Sequence, residues 1–256
     1  MKIGFCQYDV KHKNIEENII TIETMLKDVS ADLIVLPELA LTGYYFNQKD
    51  TLIELSEKIN DRTIDSLTHL SKKTHSTYVI GLGEVEDKKL YNTAYVINDK
   101  GIIGKHRKIN LTDNETIFDA GDTVEIINLG TYKLGIAICF ETWFPEMFRI
   151  LCDQGADLVV CPSNFGGPYT GDVVKVRALE NSIPIVLTNR LGREIIDGSE
   201  VYFRGESAII DGHGHSVSTA GSEPIISLYD IDLSLYNRNR NLICSNVNEQ
   251  RKRYKK

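Results

Sequence analysis

One thiol and a small set of charged side chains stand at the ends of apolar runs, where a chain can expose chemistry at the rim of a sheet. The run Leu134-Gly135-Ile136-Ala137-Ile138 has no polar alternation, which suits a strand buried on both faces, and it ends on Cys139. Glu141 to Arg149 then carries the spacing of a helix. A cysteine at such a junction lies near unpaired backbone N–H groups, those of Phe140 and its neighbours, which favour negative charge. That setting is expected to lower the thiol's pKa and to hold an oxyanion, making Cys139 a candidate nucleophile. The competing reading is a small hydrophobe filling a core.

A thiol that attacks a carbonyl needs a base, donors or a cation for the oxyanion, and a proton for the leaving group. Of the six histidines only His106 is a plausible base, since His213 and His215 sit in Asp211-Gly212-His213-Gly214-His215, a surface turn by composition. Glu38 is the stronger candidate: it directly follows Leu33-Ile34-Val35-Leu36-Pro37, where burial raises a carboxyl's pKa toward that of a base. A second charged site, His106-Arg107-Lys108, also ends a strand and is followed by Glu115. A lysine there could carry oxyanion charge, and spacing alone does not choose between Lys105 and Lys108.

The elements that position these groups read in mixed order. Lys2–Tyr8 reads as a strand, Asn14–Val29 as an amphipathic helix, and Asp32–Glu38 as a buried strand closed by Pro37. Thr51–His75 reads as two helices broken near Asn60-Asp61. Tyr78–Val85, Leu90–Asn98 and Ile102–Lys108 form an antiparallel meander, and Glu125–Leu129 with Tyr132–Ile138 a hairpin-like pair. Beyond Cys139 come a helix (Phe144–Gln154), a strand (Asp157–Cys161), a helix (Asp172–Asn181) and strands at Ile185–Thr188, Ser207–Asp211 and Ile225–Ile231. Ala31–Pro37 echoes Ala156–Pro162, which suggests two similar halves. The order points to an α/β or α+β layered domain, sheet packed on sheet with helices outside.

The chain has 256 residues, 42% hydrophobic and 25% charged, which fits one globular domain over residues 1–256 with a short basic tail at about 249–256. No apolar run reaches the ~18 residues of a membrane span, and Met1-Lys2 leads into a strand instead of a signal-peptide core, so a cytoplasmic protein with no membrane association is expected. Five widely spaced cysteines, without Cys-x-x-Cys, argue against a disulfide framework and against zinc. A net charge of −7 makes nucleic acid an unfavourable partner.

These residues carry a family resemblance: the sequence resembles the nitrilase superfamily of carbon–nitrogen hydrolases, built on a Glu-Lys-Cys triad. Its signature segments stand in order as LPELALTGY (36–44), GKHRKINL (104–111) and GIAICFETWFPE (135–146), with PSNFG (162–166), RALENSIPIVLTNRLGRE (177–194) and FRGESAIIDGHG (203–214) beyond them. The resemblance implies Glu38 as general base, Lys108 as stabiliser of the tetrahedral intermediate, Cys139 as nucleophile and Glu115 as the second glutamate that orients substrate or lysine. It selects Lys108 because the motif's lysine follows the arginine. It implies an oxyanion hole completed by the Phe140 N–H; Tyr44, Trp143 and Asn164 are the candidate substrate contacts. It also implies a four-layer αββα sandwich, no metal or organic cofactor, and a homodimer.

Around the nucleophile the sequence departs from the family's pattern, with Glu141 where Asp is common and Trp143 in place of an arginine that grips acidic substrates. Trp143 as a pocket wall favours a neutral or cationic amide or an N-carbamoyl amine; its alternative is a core aromatic. Arg149, Arg177 and Arg190 are the remaining candidates for a carboxylate clamp. Nitrile hydrolysis and a catalytically silent binding scaffold are the alternative functions.

Overall fold

Strand β2 (Leu33–Val35) shows how the sequence builds two layers of core at once. Side chains alternate across a strand, so Leu33 and Val35 face one way and Ile34, with Leu36 just beyond, the other. Leu33 and Val35 enter a cluster with Ile136, Ile138, Leu158 and Val160, which belong to a second sheet. Ile34 and Leu36 enter another with Ile22 and Leu26 of helix α1 (Ile15–Leu26) and Leu67 and Leu70 of α3 (Asp61–Thr74). The second sheet does the same through β8 (Leu158–Pro162), whose Val159 and Cys161 pack on Met147, Phe148 and Leu151 of α4 (Pro145–Gln154) and Val174 and Ala178 of α5 (Thr170–Asn181). The result is an α/β, four-layer αββα sandwich in a single domain. This computed structural model describes residues 1–59, 61–196, 198–236, 246–251 and 253.

The first sheet takes the order β14-β1-β2-β3-β4-β5, with β1 (Lys2–Gln7), β3 (Thr77–Glu86), β4 (Lys89–Asn98), β5 (Gly101–Arg107) and β14 (Ile225–Asp230). The second runs β13-β12-β9-β8-β7-β6, with β6 (Ile127–Asn128), β7 (Lys133–Ile136), β9 (Ile185–Thr188), β12 (Ala208–Ile210) and β13 (Ser216–Thr219). From β14 inward the first sheet pairs antiparallel, parallel, parallel, antiparallel, antiparallel. From β6 inward the second sheet repeats that series. The echo between Ala31–Pro37 and Ala156–Pro162 is therefore topological: β2 and β8 hold the same place in their sheets.

The helix between β2 and β3 is two helices, as the sequence suggests, α2 (Lys49–Lys58) and α3, with Asn60 outside the described residues. One expectation is corrected, and two features go beyond the sequence reading. The segment after Cys139 is a 3₁₀ turn, Cys139–Trp143, and the α-helix begins at Pro145, whose fixed φ suits a first helical position. Strand β13, which is polar and partly exposed, and the hairpin of β10 (Leu191–Ile196) with β11 (Ser199–Arg204), which is interrupted by charged residues, escape a hydrophobic-run reading. The basic tail is not wholly free: helix α6 (Val247–Arg251) carries Arg251, whose guanidinium donates to the Glu180 carbonyl at 2.8 Å, while residues 252 and 254–256 lie outside the described residues.

Candidate active site

Glu38 owes its position to a close crossing of backbones. Past β2 the chain stays pinned to β3 through Leu36 N–H to Val79 O (2.7 Å), Gly81 N–H to Pro37 O (3.0 Å) and Ala40 N–H to Gly81 O (2.8 Å). A Cβ on Gly81 would stand 2.5 Å from the Glu38 Cα, so only glycine lets the strand pass there. The Glu38 side chain is thereby turned inward and is wholly buried.

Lys108 follows β5 and is equally buried. Its Nζ donates to Glu38 Oε1 at 2.7 Å and to Glu115 Oε1 at 2.6 Å. Glu115 ends a 3₁₀ turn, Asp113–Glu115, and its other oxygen accepts the Thr112 N–H at 2.8 Å, a reciprocal cap that fixes the carboxylate. Asn92 of β4, which the sequence reading missed, donates through Nδ2 to Glu38 Oε1 (2.7 Å) and Glu115 Oε1 (3.1 Å). Its only sequence signal is a buried-strand position occupied by a polar residue. Burial pushes the Glu38 carboxyl up from its ordinary value, more than Lys108 pulls it down, and Glu115 raises it further. Burial opposes the Lys108 ammonium, but Glu38 and the other negative groups around it hold it well above a usual lysine. Glu38 Oε2 is buried and has no hydrogen-bond partner, which leaves an open acceptor on a carboxyl with a raised proton affinity.

Cys139 sits at the start of its 3₁₀ turn with φ of +47°, a left-handed conformation that costs a non-glycine residue about 1–3 kcal/mol. Its Sγ–H points to the Asn164 carbonyl at 3.8 Å, and Asn164 Nδ2 donates to the Glu38 carbonyl at 2.9 Å. Asn164 follows β8 as Glu38 follows β2, so the internal symmetry brings the two strand exits together. The expected low thiol pKa is overturned. Burial pushes the Cys139 thiol well up, the Glu38 carboxylate pushes it further, and Lys108 offsets only part. The backbone N–H groups of a single 3₁₀ turn do not reverse this.

Tyr44 is buried, and Lys108 Nζ lies 6.0 Å from its ring centroid. Its loop is held by Glu194 on β10, which accepts from the Tyr44 N–H (3.0 Å) and the Tyr45 N–H (2.8 Å). Glu194 is in turn paired with Arg190, both fully buried. Arg190→Met should therefore cost about 3–5 kcal/mol of stability in a urea melt, because it strands a buried carboxylate. A loss below about 1 kcal/mol would contradict the clamp.

Phe140 packs edge-on against Phe144, at 5.2 Å between ring centroids, and its N–H belongs to the first turn, where donors lack intrahelical acceptors. Trp143 is 44% exposed, so the core-aromatic alternative fails. The other candidates fall away from the cluster. His106 pairs with Glu141 at 2.9 Å, not with Cys139, and Lys105 is drawn outward to Glu84. All three arginines weighed as a carboxylate clamp are engaged: Arg149 with Asp153, Arg177 with Glu180 and the Thr142 and Trp143 carbonyls, Arg190 with Glu194. Among the described residues no group of three or more His, Cys, Asp or Glu is arranged to hold a metal ion, and no helix is long and apolar enough to cross a membrane. Cys6, Cys139, Cys152 and Cys161 are unbridged, and Cys244 lies outside the described residues.

Known proteins share this architecture and sequence. The carbon-nitrogen hydrolase family model matches residues 2–241. A protein named nitrilase from Pyrococcus abyssi is 34% identical over 94% of this chain and 93% of its own length. An N-carbamoylputrescine amidase from Solanum tuberosum is 28% identical over 86% of this chain and 83% of its own. Among solved structures, a carbon-nitrogen hydrolase from Helicobacter pylori superposes with a TM-score of 0.81 at 24% identity, covering 92% of this chain and 90% of that one. A cysteine-to-serine mutant of a Nesterenkonia amidase from the nitrilase superfamily superposes at 0.80 with 23% identity, covering 91% and 92%. With its family pattern spanning nearly the whole chain and its fold shared, the protein is an enzyme that belongs to the carbon-nitrogen hydrolases of the nitrilase superfamily.

Proposed function

We propose that the protein hydrolyses the carbon–nitrogen bond of a small neutral or cationic amide, or of an N-carbamoyl amine, through a thioester on Cys139. The observation that carries this reading is the buried Glu38-Lys108-Glu115 cluster, whose open Glu38 Oε2 belongs to a carboxyl electrostatically coupled to the Cys139 thiol. A thiol with a raised pKa needs a base at the moment of attack, and a carboxyl with a raised pKa is a better base than an ordinary one. Glu38 takes the Sγ proton as sulfur bonds to the amide carbon, and Lys108 with the Phe140 N–H bears the charge on the oxygen. Collapse breaks the C–N bond, and the leaving nitrogen receives the proton from Glu38. Water then gives a proton to Glu38 and attacks the thioester; the C–S bond breaks and Cys139 recovers its proton.

The engagement of Arg149, Arg177 and Arg190 with other partners supports a substrate without a carboxylate near the reacting carbon. The N-carbamoylputrescine amidase relatives, named for a carbamoyl amine, agree with that class. A nitrile substrate is the second reading, favoured by the 34% identical relative named nitrilase. We also propose a homodimer, supported by exposed Ile150 on α4 and Val176 and Leu179 on α5.

Ammonia release from primary amides, carbamoyl amines, carbamoyl acids and simple nitriles, with Cys139→Ala as the blank, tests the proposal. Amides or carbamoyl amines should react, and the mutant should lose at least about 10⁴-fold in rate. Turnover of nitriles alone would favour the second reading. Silence across the panel with a Cys139 inert to iodoacetamide would point to a binding scaffold.

A further inference from the structure

Between the nucleophile and the lysine stands a carboxylate that the mechanism above does not use. Glu141 is fully buried, two residues past Cys139, and it spends its oxygens on backbone. Oε2 accepts the N–H of Ile138 at 2.6 Å, and Oε1 accepts the N–H of Ile109 at 2.8 Å. Ile138 immediately precedes Cys139, and Ile109 immediately follows Lys108. The third partner is His106 Nε2, 2.9 Å from Oε2 and 3.2 Å from Oε1, on the strand that delivers Lys108. One carboxylate therefore ties the Ala137–Ile138 peptide, one residue ahead of the nucleophile, to the first peptide after the lysine, and the two follow strands of different sheets, β7 and β5.

The need for such a tie follows from the backbone. Cys139 holds a left-handed φ, and a strained residue keeps its conformation only where its surroundings over-determine it. The Ile138 N–H bond holds the residue that precedes that turn, and Thr142 Oγ1, donating to the Cys139 carbonyl at 2.7 Å, fixes the peptide leaving Cys139. Glutamate reaches three residues back to Ile138 and across to β5 together, and the longer side chain spans both where an aspartate has one methylene less.

We propose that Glu141, seated by His106, is the positioning residue that sets the Cys139 sulfur and the Lys108 ammonium at their working separation. The inference rests on Cys139 being the nucleophile. Glu141 touches no reacting atom; it acts through the Ile138 and Ile109 peptides. Its removal therefore disturbs the transition state, where sulfur, oxyanion and ammonium must be aligned, more than substrate entry.

The test is steady-state kinetics of the full chain and its variants on the best substrate of the amide panel, beside the rate of Cys139 alkylation by iodoacetamide. Glu141→Gln should lower kcat by about 10–100-fold with KM within about threefold, and should change the alkylation rate of Cys139. Glu141→Asp should recover part of kcat, since charge is kept and only reach is lost. His106→Gln, which keeps a donor for Glu141, should lie between wild type and Glu141→Gln, and it serves if the Glu141 variants fail to fold. A wild-type kcat in folded Glu141→Gln, or a loss confined to KM, overturns the proposal. If Cys139→Ala itself retains turnover, the nucleophile reading has failed instead, so the two failures are distinguishable.

Discussion

Lys108→Ala should abolish turnover, by about 10³-fold or more, and should cost about 3–5 kcal/mol of stability. Lys108 is the cation between Glu38 and Glu115, with both bonds under 2.8 Å and none of the three side chains more than 1% exposed. Without it the two carboxylates share, among the described residues, the Asn92 amide, and like charges in a dry site force proton uptake. The base is then spent before the substrate arrives, and the oxyanion has lost its cation. Lys105 provides the contrast. It lies three residues earlier, pairs with Glu84 at the surface and is 41% exposed, so Lys105→Ala should cost under about 1 kcal/mol and leave ammonia release intact. Equal effects from the two lysines, or a Lys108→Ala enzyme within tenfold of wild type, would remove Lys108 from the chemistry.

Much of that cluster was legible in the sequence, for a physical reason. Glu38, Lys108 and Cys139 each lie one to three residues beyond a strand, at the sheet's rim, and for Glu38 and Cys139 a buried apolar run marks the place. Asn92 and Glu194 carry no such mark. Each lies inside a strand, and what makes it part of the site is a partner 23 or 150 residues distant along the chain. The direction of the Cys139 pKa was misjudged because sequence shows the turn's N–H groups but not the depth of burial, and burial dominates. The doubled topology was legible only as one short echo, since strand direction and sheet order leave no local trace.

Glu38→Gln should separate the thiol's reactivity from its catalysis. Glutamine keeps the shape and can still accept from Lys108, but it cannot take a proton, so kcat/KM should fall about 10²–10⁴-fold. The wild-type enzyme should show an acidic limb in kcat/KM that rises as Glu38 loses its proton, with a midpoint above the ordinary 4.5 of a glutamate because burial raises it, and the variant should lack that limb. Alkylation should move the other way. The Glu38 carboxylate is one of the charges that raise the Cys139 thiol, so removing it lowers the thiol's pKa and shifts the alkylation midpoint to lower pH. Stability carries a third sign. A carboxyl raised on folding contributes most below its unfolded pKa and loses that contribution as pH rises through its folded value. Wild type should therefore weaken relative to Glu38→Gln as pH climbs from about 4 past the limb's midpoint. A variant that hydrolyses at the wild-type rate, or whose thiol titrates higher than wild type, would show that Glu38 is not the base and not the charge that faces Cys139.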